Sequence, residues 1–186
     1  MSKLIYIANL SLDGYIEDAH GKFDWTEPSD EFFAFITDLV RSAGTYLYGR
    51  RMYETMAVWE TDPTLAAQSE LMSEFAHVWQ APDKIVYSTT LQQAPTAKTH
   101  LERDFDPDAV RGLKASAAGD LTVGGANLAA HAFRAGLVDE CQLLIHPVFL
   151  GTGKPALPRD MRADLELLDE RRFGNGVVYL RYRVAS

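Results

Sequence analysis

The chain has 186 residues, a net charge of −8 and one cysteine. That length suits a single domain, 1–186, with a sizeable core, since domains run from roughly 50 to 250 residues. The acidic balance argues against a general nucleic-acid binder, one cysteine excludes an internal disulfide framework, and no run nears the roughly 18 apolar residues of a membrane span.

The N-terminus, Met1-Ser2-Lys3, enters a strand-like run without a secretory pattern, so a cytoplasmic protein is expected. Lys3 to Leu10 reads as a buried first strand, broken by Asp13-Gly14. The polar stretch to Pro28 reads as a long loop around Tyr15, Phe23 and Trp25, a length more common in functional loops. Ser29 or Asp30 then caps a helix whose Phe32, Phe33, Ile36, Leu39 and Val40 fall at helical spacing. Gly44 ends it, Thr45 to Tyr48 is a short strand, and Gly49 opens a helix from Arg50 to Trp59. A third helix is expected from about Thr64 to Trp79, followed by the strand Lys84 to Ser88. A weaker strand around Thr99 to Leu101 and a helix from about Pro107 to Ala117 come next.

Leu121-Thr122-Val123 then stops at Gly124-Gly125, and a helix begins at once with Ala126-Asn127-Leu128. Two glycines allow a sharp turn and close approach of a ligand, and the bare N–H groups of a helix start attract anions. The same residues also make a plain tight turn. Gly136 stops this helix and Glu140 to Leu150 reads as a strand that contains Cys141, a core residue rather than a nucleophile. Two strands, about Ala163–Phe173 and Gly176–Val184, are joined by Gly174-Asn175-Gly176, a hairpin signal. The alternation predicts a three-layer α/β domain: a mostly parallel central sheet, helices on both faces, and a C-terminal antiparallel hairpin.

Ligands of such sheets sit beyond the carboxyl ends of the strands. There, Gly49-Arg50-Arg51 places two guanidinium groups at a helix start, where the macrodipole disfavours them unless an anion compensates. Ser88-Thr89-Thr90 adds hydroxyls suited to phosphate or ribose. Asp30 is either a first-turn acid of its helix or a pocket acid. The five histidines lack metal-ligand spacing, so no metal is expected, and no G-x-S-x-G elbow occurs. His146-Pro147 ends a strand in the cleft region.

As a set, Ser11-Leu12-Asp13-Gly14-Tyr15-Ile16, Gly49 to Glu54, Lys84 to Ser88, Gly124 to Leu128 and Leu137 to Gly153 resemble the dihydrofolate reductase fold family. Within it they resemble the bacterial branch related to the reductase (RibD C-terminal) domain of riboflavin biosynthesis. The resemblance implies an NADPH-dependent reductase and a homodimer. It implies pyrophosphate contacts at Gly124, Gly125, Ala126, Asn127 and Leu128, 2′-phosphate contacts at Gly49, Arg50, Arg51, Ser88 and Thr89, and a nicotinamide wall at Ala8 and Ile16. Trp25-Thr26-Glu27-Pro28-Ser29-Asp30 keeps the family's spacing between a tryptophan and the substrate carboxylate, which makes Asp30 the catalytic candidate. Ser11, Asp13, Trp25 and His146 complete the expected substrate site. Thr122 stands where the riboflavin reductases commonly carry Glu. The implied substrate is thus a pterin-like or aminopyrimidine compound. Reduction of 5-amino-6-(5-phosphoribosylamino)uracil is the alternative reaction, and a non-catalytic nucleotide-binding homodimer the alternative of another class.

Overall fold

The computed structural model describes residues 1–185. Strand β1 (Leu4–Ser11) sends Leu4, Tyr6, Ala8 and Leu10 to one face of a sheet and Ile7 to the other, as strand periodicity requires. It leads to the short β2 (Tyr15–Glu17), a 3₁₀ turn (Asp24–Thr26) and α1 (Asp30–Val40), capped by the Ser29 hydroxyl, which accepts from the Phe32 N–H. β3 (Ala43–Gly49) runs directly into α2 (Arg50–Met56) and α3 (Val58–Thr61). The helix expected from Thr64 to Trp79 is two helices, α4 (Pro63–Ala66) and α5 (Glu70–Gln80). The break has a local cause: Ser69 accepts from the Met72 N–H and so starts a new helix.

β4 (Asp83–Tyr87), β5 (Thr99–Glu102), α6 (Pro107–Ser116), β6 (Asp120–Gly124) and α7 (Ala126–Arg134) follow. β7 (Glu140–His146) ends four residues earlier than expected, where Pro147 has no N–H to give the ladder. The chain closes with β8 (Lys154–Pro155), β9 (Leu165–Arg172) and β10 (Val178–Val184). The first long loop is not structureless, because β2 pairs with β8 in a small antiparallel ribbon.

The main sheet has eight strands in the order β5-β4-β3-β6-β1-β7-β10-β9. Neighbours are parallel from β5 to β7, and β10 is antiparallel to both β7 and β9. One face packs Leu4, Tyr6, Leu121, Val123 and Leu143 beneath α6 and α7. On the other, α1, α2 and α5 cover Tyr46, Tyr48, Val86, Leu144 and Tyr179. The three layers are therefore those expected.

Burial explains several polar choices. Trp79 is fully enclosed and donates its indole N–H to the Tyr48 hydroxyl at 3.0 Å. Lys84, 0 % exposed, lies 4.4 Å over the Trp79 ring and donates to the Pro82 carbonyl, satisfying a group just beyond the end of α5. Cys141 is buried in the core, and burial pushes its thiol up to about 12, so it is an inert core residue as expected.

Candidate active site at the carboxyl edge of the sheet

Helix starts separate this edge from the rest of the molecule. α1, α4, α5 and α6 begin with a side-chain cap from Ser29, Asp62, Ser69 and Asp106. α2 and α7 begin with Gly49 and Gly125, have no side-chain cap and carry no acid in the first turn. Their N–H groups are left for another partner. The two starts adjoin, because β3 and β6 are neighbours: a Cβ placed on Gly125 would stand 3.8 Å from the Gly49 nitrogen, and one on Gly49 would stand 3.9 Å from Leu128 Cβ.

Both residues of the Gly124-Gly125 pair are required locally. Gly125 has φ +97°, which side-chain-bearing residues rarely adopt, and a Cβ on Gly124 would lie 2.8 Å from the Tyr48 ring. The tight-turn reading is therefore correct as far as it goes. It does not account for the bare N–H groups of α7 that the turn presents. Ala126 and Leu128 are core residues, and Asn127 is exposed.

On the β4 side of this turn lies a basic, hydroxyl-bearing pocket rim. Arg50 Nη1 donates to Thr90 Oγ1 at 2.6 Å and its Nε donates to Glu54. Arg103, which follows β5, donates to the carbonyls of Ser88 and Leu91 at 2.9 and 2.6 Å. Sequence reading missed Arg103, since nothing local marks it; only the parallel pairing of β4 and β5 brings it here. Two expected phosphate contacts are placed differently in the free protein. The Ser88 hydroxyl is buried and accepts from the N–H groups of Thr90 and Leu91, so it shapes the turn; Thr89 is exposed and its hydroxyl has no partner among the described residues, and Thr90 meets Arg50. Arg51 also departs from expectation: its Nη1 donates to Glu17 of β2 at 2.9 Å.

On the other side, the ends of β1 and β7 meet, with Ser11 paired to His146. Ala8 lies in the core below and Ile16 packs against that core. His146 is 3 % exposed, its Nε2 is 2.9 Å from Asn9 Oδ1, and its ring meets Trp25 and Phe32 edge-on at 5.5 and 5.6 Å. Burial lowers its pKa to about 4, so it is neutral at pH 7. The Trp25 indole N–H is buried beside it without a partner among the described residues, a condition that costs about 1–3 kcal/mol.

Ser11 and Asp13, expected as substrate contacts, are engaged internally. Ser11 Oγ donates to Asp13 and accepts from the Tyr15 N–H, and the Asp13 carboxylate accepts from the N–H groups of Leu150 and Gly151. The Ser11 hydrogen bond and these two amides hold the Asp13 carboxyl below the usual range. Asp30 takes the first of its two readings: it is the first residue of α1, exposed, its carboxylate has no hydrogen-bond partner among the described residues, and the cap is Ser29; a carboxylate at that end is favoured by the helix dipole.

Two concavities, about 410 and 320 Å³, lie away from this edge, one by Arg41, Gly44 and His77 and the other by Phe133, Cys141 and Met161. The strand order nonetheless sets a linear sequence along the edge: basic rim at β4, open helix starts at β3 and β6, and an aromatic-imidazole wall at β1 and β7.

A mostly parallel sheet of this order, with helices on both faces and a C-terminal hairpin, is a dihydrofolate reductase-like domain. The chain belongs to the RibD C-terminal domain family, whose pattern it matches over residues 2–179. It is 30 % identical over 184 residues to the uncharacterized protein YyaP of Bacillus subtilis strain 168, covering 97 % of this chain and 94 % of that one. A protein of Shewanella sp. PV-4 described as a riboflavin biosynthesis protein has the same fold, with TM-score 0.76, 20 % identity and 99 % of each chain covered. The fold recurs in Acinetobacter baumannii RibD, with TM-score 0.69 and 16 % identity, where all of this chain covers 59 % of the longer one.

Proposed function

We propose that this chain is an NADPH-dependent reductase that transfers a hydride to a C=N or related bond of an aminopyrimidine or pterin-like compound. The observation that carries the reading is the pair of uncapped helix starts at Gly49 and Gly125, set side by side next to Arg50, Thr90 and Arg103.

The residues present fit a dinucleotide phosphate. Gly125 brings no side chain to the start of α7, whose N–H groups are open donors for a pyrophosphate. Arg50 and Arg103, both bound to the Ser88–Leu91 turn, would supply the positive charge for the 2′-phosphate, and Thr90 orients Arg50. Ala8 and Ile16 supply an apolar wall for the nicotinamide. When bound, NADPH supplies the hydride, while the protein supplies position and field. At the β1 and β7 end, Trp25, Phe32 and His146 exclude water, and Asn9 fixes the orientation of the His146 ring.

An aminopyrimidine is favoured over a pterin by two observations. Asp30, the carboxylate that would grip a protonated pterin ring, opens to solvent. The family is that of the RibD C-terminal domain, and a structural relative from Thermotoga maritima, of which this chain spans 57 %, is described as a diaminohydroxyphosphoribosylaminopyrimidine deaminase/5-amino-6-(5-phosphoribosylamino)uracil reductase. The reading includes a cytoplasmic homodimer. The test is NADPH oxidation, screened against ribosylaminopyrimidines, dihydrofolate and other pterins. Turnover of a ribosylaminopyrimidine is expected. NADPH binding without turnover of any of these would instead support the non-catalytic nucleotide-binding homodimer.

A further inference from the structure

The two arginines that open α2 serve different partners. Arg50 turns to Thr90 and the basic rim, whereas Arg51 turns to the first loop and holds Glu17 at 2.9 Å. The Glu17 side chain is 13 % exposed, so its carboxylate is largely withdrawn from water and has Arg51 as its counter-charge. The loop is shaped to admit this guanidinium. A Cβ on Gly21 would stand 2.9 Å from Arg51 Nη2, and Gly21 has φ +75°, a backbone that glycine adopts far more readily than other residues. Around Gly21 the Asp18 carboxylate accepts from the N–H groups of His20 and Lys22 and closes the 18–22 turn. Beyond the turn, the same loop carries Trp25 to His146.

We infer that Arg51 is a positioning residue rather than a phosphate ligand: with Glu17 it fastens the first loop to the start of α2 and so holds the substrate wall in place beside the cofactor turn. The fastening itself is a statement about the free protein. Its effect on substrate rests on the reductase reading above. Because Arg50 and Arg51 are consecutive, the residue that meets the nucleotide and the residue that holds the loop move as one unit. Loss of the pair would loosen the loop without removing selectivity for a 2′-phosphate.

Lys22, exposed within the loop, gives a direct readout through limited digestion with trypsin, with cleavage after Lys22 followed by mass spectrometry. Glu17→Gln, which leaves every tryptic site intact, is expected to speed that cleavage several-fold. Arg51→Ala should do the same, and Arg51→Lys should restore most of the protection. In melting experiments Arg51→Ala should keep a larger shift with NADPH than with NADH, while Arg50→Ala should lose the difference. With the aminopyrimidine that passes the oxidation screen, Glu17→Gln should raise KM about fivefold and leave kcat within about twofold. Unchanged cleavage at Lys22 in Glu17→Gln, or loss of the NADPH preference in Arg51→Ala, would overturn the inference. A wild-type protein with no NADPH preference would overturn the reductase reading, and the cleavage result would still decide the fastening.

Discussion

On the reductase reading proposed above, Arg50 is the residue on which cofactor choice depends. Its guanidinium is already aimed at the Ser88–Leu91 turn by Thr90, so a 2′-phosphate bound there gains charge-assisted hydrogen bonds without reorganisation. Arg50→Ala is expected to weaken NADPH at least about tenfold and to leave NADH nearly unchanged, since such bonds contribute about 1.5–3 kcal/mol. Titration calorimetry with both nucleotides checks this. Asp30 makes the opposite case. As an exposed first-turn acid, its change to Asn should cost about 0.5 kcal/mol of stability through the helix dipole and leave kcat within about twofold. A large fall in kcat would return Asp30 to the mechanism. His146 makes a prediction in pH. The fold lowers its pKa from the ordinary 6.5 to about 4, so between those values the unfolded chain binds the extra proton and the folded chain does not. Stability therefore rises with pH across that window, by up to about 3 kcal/mol, and is lost as pH falls through it. Denaturant melts at stepped pH should show this slope, flattened in His146→Gln.

Among the elements, the contrast between capped and uncapped helices separates stability from binding. Removing the Ser69 hydroxyl from the start of α5 should cost about 1 kcal/mol and leave nucleotide affinity untouched. Gly125→Ala at the start of α7 should cost about 1–2 kcal/mol through its left-handed backbone and should also abolish nucleotide binding. The combination, read from melting curves with and without NADPH, distinguishes a turn that only packs from one that also receives a ligand. The start of α7 was legible in the sequence because its glycines are adjacent and the strand and helix periodicities meet there. The division at Ser69 was less legible, since Thr64 to Trp79 is apolar enough throughout to read as one helix, and one hydroxyl decides where the second begins. The early end of β7 at His146 was masked in the same way by the apolar Val148, Phe149 and Leu150, which continue the strand's composition beyond the break at Pro147.

At the scale of the whole molecule, NADPH should raise Tm more than NADH at equal concentration, because a ligand that binds only the folded state stabilises it by mass action. The homodimer expectation also belongs here. β9 lies at the sheet edge with Leu165 and Leu167 41 % and 51 % exposed, and a dimer formed through that edge should fall to a monomer by light scattering in Leu167→Glu. By itself the sequence determined the layered α/β plan, the core, the Gly124-Gly125 turn and the neighbourhood of Arg50, because these follow from periodicity and from backbone conformations that few residues adopt. Only the tertiary structure decided that Arg103 and Arg50 meet the same Ser88–Leu91 turn, that Arg51 turns to Glu17 and that the Asp13 carboxylate takes the N–H groups of Leu150 and Gly151. Those outcomes depend on which strands lie side by side and where a long side chain finds its nearest counter-charge, and neither is written in local spacing.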